Sequence, residues 1–290
     1  PVRAFWGDGT DEWENWKTNF QFYKNYFLLT DDVSKSEIGF LPLTLNYYIN
    51  NKKLSLVNQL AEKMKIFNKV LIAWLDGDQN IRYEHDNCII IKYSSNQNKN
   101  NANVFIQPAD LRSDLLKEYF NGKLKIKKKK KIPSLGFDGM ADYPIFKMKG
   151  TIIKNIFHHI SYSIFKTQFT PDPIFPILLK RKYFLSLLNN SSLIKTDFNI
   201  RNSFAFGLVH DESNARNEYI NNIISNDYTF CYRGNANYSL RLYETLCLGR
   251  IPLFIDTDCV LPLMGKINWK EICLWVDQSE IEFIDKKILD

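Results

Sequence analysis

The 290-residue sequence contains no CxxC pair and only five cysteines, at positions 88, 231, 247, 259 and 273. An odd count without ligand-like spacing argues against a disulfide framework and against a zinc site, and it implies a reducing compartment. Cys88, Cys231 and Cys273 sit within apolar runs, where a thiol acts as a small hydrophobe. Long hydrophobic runs are missing too: Val70 to Leu75 is typical, far short of the about 20 residues that span a bilayer. With no signal-peptide pattern either, the expectation is a soluble, cytoplasmic protein without a transmembrane segment. Neither a Walker lysine loop nor a GxGxxG motif occurs, which removes support for a P-loop NTPase or a Rossmann dehydrogenase. Internal repeats are also absent.

Excess charge is scarce outside one segment. The formal net charge is +6, yet residues 123–131 alone carry seven lysines, and without them the chain is close to neutral. A run of this kind reads as a solvated linker, and no basic stripe with interleaved aromatics accompanies it, so nucleic acid is not an expected partner. What is plentiful is core material: 45% of residues are hydrophobic and 14% aromatic, enough for one or two domains.

Along the chain, short β-branched runs alternate with helical patterns. Strands are expected at Val2 to Phe5, Lys69 to Trp74, Cys88 to Tyr93, Ser134 to Phe137, Ser203 to Val209, Tyr228 to Arg233, Ile251 to Ile255 and Ile272 to Val276. Helices are expected at Glu12 to Tyr23, Asp110 to Phe120, Phe146 to Phe165, Ile177 to Leu188, Ala215 to Ile224 and Tyr238 to Leu248, with Asp110 as an N-cap. Such alternation implies βαβ units and parallel sheets. The lysine run is the natural divide, predicting one α/β domain over residues 1–125 and a second over 132–290, facing each other across a cleft.

The chemistry concentrates between Tyr228 and Ile255, which reads as strand, polar loop, helix, glycine stop and strand. The loop from Arg233 through Gly234 to Asn237 lies at the carboxyl end of a strand and just before a helix, where parallel α/β proteins bind ligands. Unpaired N–H groups and the helix dipole there favour phosphate, and Arg233 and Arg241 could add bidentate hydrogen bonds to a diphosphate. Glu244 shares a helix face with Arg241, and a carboxylate so placed can accept from two vicinal ribose hydroxyls. The plainer alternative is a surface ion pair between Arg241 and Glu244, with Asn237 or Ser239 as an ordinary N-cap.

This segment resembles the C-terminal signature of the exostosin family, glycosyltransferase family 47, in its compact bacterial-type form. The resemblance rests on the strand and Arg-Gly loop, Ser239-x-Arg241-x-Tyr243-Glu244 and Gly249-x-Ile251-Pro252, continuing through Asp258 and Leu261-Pro262 to Ile267-x-Trp269. Pro133 to Gly139 and Arg216 also look similar to that pattern. The likeness covers roughly residues 133–276, with 232–262 the specific part; the first half resembles nothing nameable. It implies a GT-B fold of two Rossmann-like domains. It further implies an inverting transferase moving a sugar from a nucleotide sugar, usually a UDP-sugar, to a glycan acceptor in surface polysaccharide or glycan biosynthesis. By the same resemblance Glu244 holds the donor ribose, Arg241 and the Ser239 region face the diphosphate, Arg216 is a further phosphate contact, and neither metal nor cofactor is needed. A catalytically inactive glycan- or nucleotide-binding module of the same fold is the alternative.

An inverting displacement requires a base. Asp8, in Gly7-Asp8-Gly9, and Asp138, in Gly136-Phe-Asp-Gly139, are the candidates, although aspartate beside glycine is also ordinary turn chemistry. Glu212 is a third. Asp76-Gly-Asp78 stands as a metal-binding alternative, whereas Asp256-Thr-Asp258 is expected to shape a loop. His158 and His159, being adjacent on a helix, diverge and make no metal clamp. Trp6, Trp13 and Trp16 near the first loop could stack on a sugar ring.

Overall fold

The computed structural model describes residues 26–289, apart from 29, 78–80, 98–102, 110, 112, 129, 143, 166, 168 and 203–211. The expected elements at 2–5, 12–23 and 203–209, with Asp8, Asp78, Asp110 and the three tryptophans, lie outside the described residues.

Two compact units divide the chain. The first runs to Ser95 and resumes up to Gln107; the second holds Asn96 and Gln97 and continues from Pro108. The expected division between residues 125 and 132 therefore falls inside the second unit. The reason is the helix Leu115–Phe120 (α3), whose Leu115 and Phe120 are buried in one cluster with Ile220, Ile223 and Leu248 of the second unit. Its cap also departs from expectation: Asp114 Oδ1 accepts from the Lys117 N–H at 3.0 Å, so the cap lies four residues after Asp110.

In the first unit four strands, β1 (Ile38–Phe40), β2 (Val70–Trp74), β3 (Cys88–Lys92) and β4 (Val104–Ile106), form a parallel sheet in that order. Helices α1 (Leu45–Asn50) and α2 (Leu54–Ile66) pack on it through Leu45, Ile49, Val57, Ala61 and Met64 against Leu71, Ala73 and Ile90. Burying such side chains contributes about 1.5–3 kcal/mol each, which stabilises strands as short as three residues.

The second unit is built on β5 (Ser134–Met140), β6 (Lys195–Arg201), β7 (Tyr228–Cys231), β8 (Ile251–Asp256) and β9 (Leu274–Asp277). All pairings are parallel and the order is β6-β5-β7-β8-β9. Six of the seven β5 residues are buried, as a central parallel strand covered on both faces requires. Leu135, Phe137, Phe230, Leu253, Ile255 and Val276 pack with Phe184, Leu185 and Leu188 of α5 (Ile177–Asn189) and with Ile284 and Ile288 of the C-terminal helix. Between β5 and α5 runs α4 (Ile145–Phe165); α6 (Glu212–Ser225) precedes β7 and α7 (Leu240–Cys247) follows it. Gly249, at φ +63°, takes the left-handed conformation that ends α7, as the glycine stop predicts.

Three local expectations change. The expected strand from Ile272 begins at Leu274, because Trp269–Ile272 close a helical turn (α8) with Trp269 Nε1 donating to Pro262 O at 2.8 Å. β6 was not expected: it is an edge strand in which only Phe198 and Ile200 are apolar and no residue is fully buried. The expected strand Tyr228 to Arg233 ends at Cys231, where the loop begins.

Candidate functional site

The chain leaves β5 for β6 on one side and returns to β7 on the other, so the topological switch lies between β5 and β7. In parallel α/β sheets ligands bind beyond the carboxyl ends of the strands at such a point. Arg241, in the first turn of α7, spans it. Its Nη2 donates to the carbonyl of Asp138 on β5 at 2.5 Å and its Nη1 to that of Phe230 on β7 at 3.3 Å. The guanidinium lies 4.4 Å from the Phe137 ring centroid and 5.2 Å from that of Tyr219. Gly139 permits this approach: at φ +153°, a Cβ there would sit 2.8 Å from Arg241 Nη2.

A second guanidinium, which the sequence did not single out, joins the first. Arg181 of α5 is buried and donates to the carbonyls of Met140 (2.8 Å), Tyr232 (3.4 Å) and Arg233, tying α5 to the loop after β7. Burial, with the neighbouring Arg241 charge, pushes its pKa down to about 9, still above neutrality. Among the described residues neither Arg181 nor Arg241 has a carboxylate within ion-pair distance, and the Nε of each is buried without a hydrogen-bond partner.

Glu244, one turn along α7, is buried but not paired with Arg241, so the alternative of a surface ion pair between those two is replaced by another pairing. Arg216 Nη1 of α6 stands 2.7 Å from Glu244 Oε1 and the Tyr219 hydroxyl donates to Oε2. The Arg216 contact is close but not aligned as a hydrogen bond, which leaves Oε1 without an aligned donor. Arg216 is the more exposed partner, at 18% against 2% for Glu244. Burial raises the Tyr219 phenol well above its ordinary pKa, and the Glu244 carboxylate adds to that rise.

The other expected ligand groups have local partners. Arg233 donates to Asn235 O at 2.7 Å and its carbonyl accepts from Arg181. Gly234 N–H donates to Tyr238 O at 3.1 Å. Asn237 is buried; its Nδ2 donates to Thr257 O at 3.0 Å and to Asn96 Oδ1 at 2.5 Å, and its Oδ1 accepts from Thr257 Oγ1 at 2.6 Å. These bonds brace the β7–α7 loop against the loop after β8. Ser239 occupies the N-cap of α7 with extended backbone, yet its hydroxyl makes no capping bond; the Leu242 N–H donates to the Ser239 carbonyl at 3.2 Å.

Asp138 is buried on β5 and both its oxygens are engaged. Arg201 Nε donates to Oδ1 at 2.6 Å, and Arg201 Nη2 and Asn199 Nδ2 each donate to Oδ2 at 2.9 Å. These hydrogen bonds hold the Arg201 guanidinium above its ordinary pKa, and its Nη2 also reaches Glu218 Oε2 at 2.7 Å. Asp8 and the Glu212 side chain lie outside what is described. Asp256 Oδ1 accepts from the Asp258 N–H at 2.9 Å, shaping the loop as expected, and burial raises its pKa. A depression of about 480 Å³ lined by Asp256, Lys266, Trp269 and Trp275 opens beside it. His159 Nε2 contacts Asp172 O at 2.8 Å while His158 is exposed, so the two diverge. No group of three or more His, Cys, Asp or Glu side chains is placed to hold a metal ion among the described residues.

Sequence signals for the missed residues were weak. Arg181 sits in Lys180-Arg-Lys182, which reads as surface charge, and Tyr219 and Arg201 are single residues in polar segments.

No family model matches the chain. Similarity to curated proteins is partial. The chain is 36% identical over 58 residues to a probable β-1,4-xylosyltransferase, IRX10L, of Arabidopsis thaliana, covering 20% of this chain and 14% of that protein. It is 30% identical over 87 residues to the probable glucuronosyltransferase GUT1 of Oryza sativa subsp. japonica, covering 30% and 20%. It is 35% identical over 71 residues to exostosin-1 of Drosophila melanogaster, covering 23% and 9%. The matched stretches thus span no more than a fifth of these relatives' lengths, and over them the chain is similar to glycosyltransferases of the exostosin kind.

Proposed function

We propose that the chain is a glycosyltransferase of exostosin type whose donor diphosphate is held at the switch point between β5 and β7. One observation carries the reading: Arg241, half-buried, bridges the carboxyl ends of those strands beside the buried guanidinium of Arg181, and neither has a carboxylate partner among the described residues. Two adjoining cations in a low-dielectric place are costly unless an anion joins them. The N-terminus of α7, which the Ser239 side chain does not cap, adds the positive end of its dipole on the same side. Glu244 takes the ribose hydroxyls on Oε1, the oxygen without an aligned donor, as Arg216 turns from it toward phosphate.

In the transfer the acceptor hydroxyl oxygen attacks the anomeric carbon from the face opposite the donor phosphate. The glycosidic C–O bond breaks, its electron pair leaves with the nucleoside diphosphate, and the hydroxyl proton passes to a base. Inversion follows from the single displacement. Arg241, Arg216 and the α7 dipole stabilise the leaving charge electrostatically, without a metal. Asp138, bound on both oxygens, is assigned here to positioning: it fixes Arg201 by its carboxylate and Arg241 by its carbonyl. Asp8 remains the proposed base, on a first unit that serves the acceptor. The donor is a UDP-sugar and the product a surface or structural glycan within a GT-B arrangement.

The occupation of Glu244 by Arg216 and Tyr219 favours a second reading, an inactive binding module of the same fold. Thermal stabilisation by UDP-, GDP- and CMP-sugars tests donor binding, since ligand at 100 times its dissociation constant adds about 2.7 kcal/mol. Release of free sugar from the stabilising donor then separates enzyme from module. Absence of stabilisation by all of them overturns the donor site in both readings.

A further inference from the structure

Helix α4 is inside out. Its 21 residues contain no aspartate or glutamate, but Lys147, Lys149 and Lys154 are present. The single buried side chain is Asn155, whose Nδ2 donates to Pro173 O at 2.8 Å and Ile174 O at 3.3 Å, on the same face as His159 and its contact with Asp172 O. The face turned to the protein is thus held by polar contacts. The opposite face is apolar and exposed: Phe146 72%, Ile153 55%, Ile156 41%, Phe157 65%, Ile160 50% and Ile164 64%. At 3.6 residues per turn these six fall within an arc of about 100°. Lys149 lies within that arc, Lys154 and Lys147 lie about 60° and 80° beyond its Phe157 edge, and Phe175, next to the tied Ile174, is exposed as well.

An amphipathic helix normally directs its apolar stripe at the core; here the core is on the other side, so the stripe serves something else. We propose that the outer face of α4 docks on an anionic lipid surface, with the helix in the plane of the headgroups. The apolar arc enters the acyl boundary while Lys149 within it and Lys154 and Lys147 on its flank reach the phosphates along their aliphatic stems. The charge pattern selects this occupant. A second copy of the chain meeting this face by two-fold symmetry would set lysines against lysines with no carboxylate on either helix. Anionic headgroups complement three lysines at once and supply an apolar phase of matching breadth.

The test floats the full chain with phosphatidylcholine vesicles and with the same vesicles containing about 30% phosphatidylserine. Binding is expected to be at least tenfold stronger on the anionic vesicles and to fall as salt rises. The double variant Phe157→Ser/Ile160→Ser should lose at least tenfold of that binding, and Lys147→Glu/Lys154→Glu should abolish the preference for anionic lipid. Both pairs are solvent-facing, so unchanged melting temperatures certify folding. Lys128→Glu/Lys131→Glu, in the other basic segment, should bind as the parent does. The proposal is overturned if the parent ignores the vesicles, if binding follows Lys128 and Lys131 instead, or if the Phe157→Ser/Ile160→Ser pair binds normally. It is equally overturned if sedimentation velocity shows the face consumed in a self-association that this pair dissolves.

Discussion

Tyr219 and Glu244 allow the donor-site assignment to be separated from a purely structural role. The Tyr219 hydroxyl donates to Glu244 Oε2, and Oε1 faces Arg216 at 2.7 Å. Tyr219→Phe removes one hydrogen bond to a charged acceptor and keeps the carboxylate; such a bond contributes about 1.5–3 kcal/mol. Urea unfolding should show a loss of that size with unchanged slope, and the melting point should fall by roughly 2–4 °C for each kcal/mol. Nucleotide affinity should hold, because Oε1 is still present to accept the ribose. Glu244→Gln keeps the shape but halves the acceptor capacity and removes the charge facing Arg216. Its donor affinity should drop by roughly ten- to a hundredfold, the equivalent of about 1.4–2.7 kcal/mol, with turnover of bound donor less affected. A structural carboxylate would instead lower stability in both variants and affinity in neither. Calorimetric affinity of Glu244→Gln equal to the parent's refutes the ribose role, and a Tyr219→Phe loss below about 0.5 kcal/mol refutes the hydrogen bond as an energetic element.

Arg241→Ala should lower turnover by a hundredfold or more in steady-state rates, and Arg241→Lys should restore only part, since an ammonium cannot span both the Asp138 and Phe230 carbonyls. Gly139→Ala puts a Cβ 2.8 Å from Arg241 Nη2 at a φ of +153°, so it should cost about 1–3 kcal/mol in chemical unfolding and reproduce the turnover loss of Arg241→Lys. Asp227 is expected to contribute acid-sensitive stability. Burial works to raise its carboxyl, but hydrogen bonds from Ser134 and the Lys130 and Lys127 charges prevail and hold it below the ordinary value. The stabilisation is therefore present above the unfolded-state pKa and lost as pH falls through the folded one; Asp227→Asn should flatten the acid side of the melting-temperature profile. Alanine at 127–131 should leave catalytic efficiency within tenfold of the parent while lowering stability, because Lys127 and Lys130 lie 3.8 and 3.6 Å from that carboxylate.

Legibility in the sequence followed burial. β2, β3, β7 and β8 are short apolar runs between polar turns, and each was readable to within two residues of its ends. β6 was not, since Lys195-Thr-Asp-Phe-Asn-Ile-Arg201 pairs along one edge only and offers solvent its alternate side chains. β1 and β4, of three residues each, are too short to show a period and exist because the sheet between them is buried. The lysine run misled for a related reason. Charge density reads as solvent, yet Arg250 Nη1 donates to Lys125 O at 2.9 Å and Lys127 to Ser225 O, so the run is tied along the second unit. At the site, spacing brought out Arg241 and Glu244 but paired them with each other. Their partners come from β5, β7 and α6, and only the fold brings those together.

The arginines explain why local pattern failed where it did. A helical residue's neighbours three or four positions away share its face, so Arg241 and Glu244 meet every sequence criterion for an ion pair. In the fold the two side chains diverge. Arg241 turns toward the strand ends, where Gly139 leaves room beside the Asp138 carbonyl, and Glu244 turns toward α6, where Arg216 and Tyr219 receive it. Neutralising Arg241 with the carboxylate next to it on the helix would have been the stabilising choice. Instead the unit keeps Arg241 and Arg181 beside the same Phe137 ring, at 4.4 and 5.9 Å from its centroid, and gives backbone carbonyls to both. Carbonyl oxygens carry partial charge and leave each guanidinium its full positive charge. A fold selected for stability alone would exchange one of the pair for an apolar residue of similar volume. Retaining both at the switch point is the arrangement expected where an anion of two charges or more completes the site.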